Sequence, residues 1–96
     1  MAHYIVLVNW TDQGIRSVKD SPKRAEAFRK AVQRVRGKVT IYYTLGQYDI
    51  VAILEAPDDA TVMSLALAVG SLGNVRTSTL KAFSEAEAKE IIGKLS

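Results

Sequence analysis

The residues able to do chemistry are few, and what is missing narrows the field first. His3 is the only histidine and there is no cysteine. A transition-metal centre built on His or Cys needs several such ligands, so no metal is expected, and the same lack argues against a histidine-held haem. No cysteine also means no disulfide and no thiol chemistry. No serine sits in a nucleophile elbow, and neither a phosphate-binding P-loop nor a Gly-x-Gly-x-x-Gly run occurs. Gly70-Ser71-Leu72-Gly73 follows a helical pattern instead of opening one and reads as a helix stop. No cofactor is therefore expected. What remains is a polar set: Asn9, Tyr42, Thr44, Asp49 and Arg76, with His3 beside it. Asp49 would serve as proton acceptor, Tyr42 as hydrogen donor and Arg76 as an anion or oxyanion contact, but no catalytic residue is assigned. The bland alternative is that Asp49 caps a turn or pairs with Arg76, and that Asn9 helps start a helix.

Those residues must be positioned by one domain spanning 1–96, a length that allows only a thin core. Tyr4 to Val8 is β-branched and aromatic and reads as a buried strand. Thr11 and Asp12 can cap a short helix through Val18. Asp20-Ser21-Pro22 interrupts it, with Ser21 as N-cap and Pro22 as first helical residue of a helix to about Arg36, ended by Gly37. Ala25, Phe28, Val32 and Val35 form its inner stripe. Val39–Leu45 and Tyr48–Glu55 read as a hairpin with Gly46-Gln47 as a type II′ turn, pairing Leu45 with Tyr48 and Tyr43 with Ile50. Pro57-Asp58-Asp59 opens the next helix, with acids at its positive end. Val75–Phe83 is a fourth strand, and Ser84-Glu85-Ala86-Glu87 matches a capping box before a last helix.

The order is βαββαβ plus a C-terminal helix, an α+β, ferredoxin-like arrangement with the first and third strands central. Thr44 should face Asp49 across the hairpin. The first and third strands are read as parallel, which sets Asn9 and Asp49 toward opposite ends of the sheet. One sheet face carries Val39, Ile41, Tyr43, Leu45, Tyr48, Ile50, Ala52 and Leu54 for the helices; the other carries Thr40, Tyr42, Thr44, Asp49, Val51, Ile53 and Glu55. A sheet with one wet face should alternate cleanly, and this one does not. Its second face is expected to be covered by the last helix, by another subunit, or by both.

Several stretches resemble the GYD domain family: Leu7-Val8-Asn9-Trp10-Thr11-Asp12-Gln13-Gly14, Lys19-Asp20-Ser21-Pro22-Lys23-Arg24, Thr44-Leu45-Gly46-Gln47-Tyr48-Asp49-Ile50-Val51, Glu55-Ala56-Pro57-Asp58 and Gly73-Asn74-Val75-Arg76-Thr77. The resemblance covers nearly the whole chain. It implies a ferredoxin-like fold of the dimeric α+β barrel kind and carries no established activity.

Charge is uneven. Residues 11–38 hold nine Lys/Arg and three acids, a net of +6; residues 39–96 hold four and seven, a net of −3. The basic helix lacks the interleaved aromatics of a stacking platform, and the one tyrosine of Gly46–Ile53 falls short of an RNA-binding strand, so nucleic acid is not the expected partner. No apolar run is long enough for a membrane helix and no secretory leader precedes the first strand, so a cytoplasmic location is expected. The leading expectation is a homodimer or higher oligomer that binds a small apolar or aromatic molecule between paired sheets. A non-catalytic oligomerisation or sensor module, and a cofactor-free enzyme acting on a small apolar or aromatic compound, are the alternatives.

Overall fold

A computed structural model describes residues 1–95. Its elements follow the βαββαβ order: β1 (Ala2–Trp10), α1 (Asp12–Arg16), a 3-10 turn (Val18–Asp20), α2 (Ser21–Arg34), β2 (Lys38–Tyr43), β3 (Ile50–Ala56), α3 (Asp59–Ser71), β4 (Val75–Ala82) and α4 (Glu85–Gly93). The strands form one antiparallel sheet in the order β2-β3-β1-β4, which suits a ferredoxin-like arrangement. The core lies between this sheet and α2 and α3. It is built from Tyr4, Val6 and Val8 of β1, Ala52, Leu54 and Ala56 of β3, Val32 of α2, and Val62 and Leu65 of α3.

Local chemistry sets the helix ends. Thr11 accepts from the Gly14 amide and starts α1. Asp58 accepts from the Thr61 amide at 2.8 Å and from its hydroxyl at 2.7 Å, starting α3. The capping box at α4 is formed in both directions: Ser84 N to Glu87 Oε1 at 2.8 Å and Glu87 N to Ser84 Oγ at 3.1 Å.

Four expectations need correction. Asp20, not Ser21, occupies the N-cap position of α2; Ser21 lies inside the helix, buried, and its hydroxyl shares a 2.9 Å hydrogen bond with Tyr43 OH. At the other end the left-handed residue is Arg36 (φ 64°), two residues beyond the last helical one. Gly37 is needed for space instead: a Cβ there would lie 2.6 Å from Glu55 O and 2.8 Å from Val32 Cγ1. The hairpin register of Tyr43 against Ile50 holds, but the turn is wider than two residues. Thr44 N donates to Asp49 O at 2.9 Å while Asp49 N turns away to Val8 O at 2.9 Å, so Leu45 leaves the strand and is fully exposed. Finally, β1 and β3 are antiparallel. A helical crossover makes β1 and β2 parallel, and the hairpin then reverses β3, so Asn9 and Asp49 fall at the same end of the sheet.

Candidate functional site

The sheet face turned away from α2 and α3 is the most distinctive surface of the chain. Register places Tyr42, Val51, Leu7 and Ser78 in one row across it, and Thr40, Ile53, Ile5 and Leu80 in the next. α4 does not fold back over these rows. Its Glu87 Oε1 reaches His3 Nε2 at 3.7 Å at one corner, while Ile53 (43%), Leu80 (48%) and Tyr42 (57%) stay exposed. Phe83, Ile91 and Ile92 at that same end are exposed as well. Of the two covers expected for this face, the chain's own last helix is thus not one.

At the opposite end lies the polar set. Asn9 of β1 lies directly opposite Arg76 of β4, and Asp49, in the loop just before β3, reaches Asn9 from the other side. Asp49 Oδ2 accepts from Trp10 N at 2.9 Å and lies 3.4 Å from Asn9 Nδ2, which itself donates to Gln47 O at 2.8 Å. The Thr44 hydroxyl donates to Tyr48 O at 2.7 Å, and its amide faces Asp49 as expected. The residues singled out in the sequence thus lie at one end of the sheet, but their partners differ from those expected. Among the described residues Asp49 forms no ion pair with Arg76 and no hydrogen bond with Tyr42. Both are exposed side chains. One oxygen of Asp49 is already held by a main-chain amide and an asparagine amide. Its evident work is to pin the 44–49 loop to the end of β1.

A second cluster, on the helix side, was not visible in the sequence. Tyr4 OH donates to Asp59, Lys81 Nζ donates to Asp59 Oδ1 at 2.7 Å, and the same ammonium stands 4.9 Å from the centre of the Tyr4 ring. The Lys81 hydrogen bond and then the Tyr4 hydroxyl hold the Asp59 carboxyl below its ordinary range. The hydrogen bond to Asp59 raises both Tyr4 and Lys81. The only sequence signal was the acid at the first turn of α3; its partners come from strand ends 55 and 22 residues away. On the basic helix, Arg24 donates to the carbonyls of Ser17 (3.1 Å) and Gly14 (3.4 Å), bracing the end of α1. Among the described residues no three His, Asp or Glu side chains are placed to hold a metal ion together.

The chain is 37% identical over 89 residues to a Thermus thermophilus protein named "Glutamine synthetase and cystathionine beta-lyase binding protein", covering 91% of this chain and 94% of that one. No solved structure matches. Residues 4–92 match the GYD domain, and the chain belongs to that family.

Proposed function

We propose that this chain is a non-catalytic binding module that docks on metabolic enzymes through its open sheet face. The observation that carries the reading is the apolar middle of that face, where exposed Ile53 and Leu80 flank half-buried Ile5, Leu7 and Val51 between polar ends. A patch of this kind on a small domain is characteristic of an interaction surface. The name of the Thermus relative supports protein partners, and glutamine synthetase and cystathionine β-lyase are the first to test. Such partners would fit a cytoplasmic setting; among the described residues no helix is long and apolar enough to cross a membrane. The basic face of α2 lies on the other side of the sheet and has no part in this reading.

The test is co-elution of the purified chain with each enzyme from the same cell, read by size-exclusion chromatography with light scattering. Complex formation that is lost in Ile53→Asp and Leu80→Asp supports the reading. Absence of a complex with either enzyme at micromolar concentration, or variants that bind unchanged, would refute it.

The second reading gives the same face to a second copy, as a dimeric α+β barrel. Its support is the polar end of the sheet that holds Asn9, Asp49 and Arg76, with Tyr42 and Thr44 nearby, which would border an enclosed space fit for a small apolar or aromatic molecule. A cofactor-free reaction there would need Asp49 as base, and the engagement of its Oδ2 weighs against that. Light scattering of the chain alone separates the cases: a dimer broken by Ile53→Asp favours this reading, and a monomer at micromolar concentration ends it.

A further inference from the structure

The helix layer on the opposite side of the sheet does not close. A cavity of about 300 Å³ lies between α2, α3 and the strands. Val8 and Ala52 are part of its floor, Phe28 and Ala31 of one wall, Leu65 and Val69 of the other. Protein interiors seldom contain voids much larger than a water molecule, because unfilled space forfeits dispersion contacts. Collapse of the helices into it is opposed at their ends. Arg24 ties α2 to Ser17 and Gly14, Gly37 packs tightly on Glu55, Asp59 is held by Tyr4 and Lys81, and Thr11 N donates to Asn74 O at 3.1 Å beyond the end of α3.

The lining says what fits. Of its polar side chains, Ser21 bonds Tyr43, Arg24 the α1 carbonyls, and the Asn74 side-chain oxygen accepts from Gln13 Nε2 at 3.0 Å; Thr77 and Thr79 add two hydroxyls. Among the described residues that line it, Arg24 is the one charged side chain, and it is already engaged. A polypeptide strand is excluded too, since its N–H and C=O groups would be buried against apolar walls without partners. Trp10 lines the cavity, but its Nε1, a buried side-chain donor without a partner among the described residues, is closed off from that space and offers a ligand no hydrogen bond. An apolar cavity of ~150 Å³ accepts benzene, so one of twice that volume suits a two-ring aromatic or a similar compact molecule.

We propose that the cavity between α2 and α3 binds an uncharged, apolar small molecule about the size of two fused aromatic rings. This site is on the other face of the sheet from the docking surface and does not depend on it.

The experiment uses the full chain and three probes: 2-acetylnaphthalene, naphthalene and 2-naphthoate. Binding is followed by calorimetry and by quenching of Trp10, the only tryptophan. The expected result is saturable binding of one 2-acetylnaphthalene per chain. Naphthalene, with the same ring size, should bind as well, and 2-naphthoate, whose charge would be desolvated without a partner, not measurably. Ala68→Phe at the exposed mouth and Ala31→Leu inside should each weaken binding at least tenfold while keeping the parent circular dichroism spectrum. Ile53→Asp, on the open face, should bind like the parent. Absence of saturable binding up to the solubility limit would overturn the proposal. So would 2-naphthoate binding as tightly as the ketone, folded cavity variants that bind unchanged, or loss of binding in Ile53→Asp.

Discussion

Truncating Asp49 to alanine tests whether this carboxylate is a pin or a reactive group. Its Oδ2 accepts from the Trp10 amide at 2.9 Å, with Asn9 Nδ2 at a weaker 3.4 Å. A hydrogen bond to a charged group contributes about 1.5–3 kcal/mol, and alanine supplies no replacement for the Trp10 N–H at the end of the ladder. Asp49→Ala should therefore lose about 2 kcal/mol. For a domain of this size that is a fall of roughly 8–16 °C in Tm. Asp49→Asn keeps a neutral acceptor in the same place and should lose about 1 kcal/mol or less. Urea unfolding followed by both far-UV circular dichroism and Trp10 fluorescence gives both numbers. If Asp49→Ala is within about 0.5 kcal/mol of the parent, the ordinary range for surface substitutions, the pinning argument is wrong. If Asn costs as much as Ala, the charge and not the bond is what matters.

Glycine substitutions should separate packing from conformation. Gly14→Ala would put a Cβ 1.9 Å from Asn74 O, so it should unfold the chain or displace α1, seen as a large loss of the urea midpoint; Gly37→Ala, against Glu55 O at 2.6 Å, should also destabilise. The Asp59–Lys81 pair predicts a pH profile. Asp59 is depressed, so its contribution is complete above the ordinary carboxylate pKa of about 4 and is lost as pH falls through its folded value. Lys81 is raised, so its contribution is complete below about 10.4 and is lost as pH rises through its folded value. The stability gap between the parent and Asp59→Asn should be widest between these limits and shrink at pH 3 and above pH 11, measured as urea midpoints. Ser84→Ala removes the capping box of α4. It should speed amide exchange in residues 85–93 while leaving the global unfolding midpoint nearly unchanged, because α4 buries none of its own residues deeply.

Element order, the hairpin register and the caps at Thr11, Asp58 and Ser84 were legible because each depends on nearby residues. The direction of β3 relative to β1 was legible too, from one crossover and one hairpin, yet was misread, and that misreading hid the meeting of Asn9 with Asp49. The loop width was not legible. Gly46-Gln47 has tight-turn chemistry, but the Asp49 amide is drawn to Val8 O, 41 residues earlier by sequence number. Tyr4, Asp59 and Lys81 meet only once the register is set. The cavity depends on how far apart two helices settle, which periodicity within either one does not encode.

The two surfaces share their strands and should still act independently. On β1 and β3, side chains alternate: Val8 and Ala52 help floor the cavity, while Leu7, Val51 and Ile53 look out on the open face. A partner on one side and a ligand on the other both favour the native sheet over the unfolded chain, and each raises stability by its own saturation. That common effect does not link their affinities while nearly every molecule is folded. Linkage needs a second native arrangement that one occupant prefers. The strands offer none, because slipping the register by one residue would exchange the two faces entirely. The helix layer is tied at its ends by Arg24, Asp59 and Gly37, so an occupant between α2 and α3 would leave Ile5, Leu7 and Ile53 in place. The sheet then acts as a partition: it supports both sites and transmits little between them.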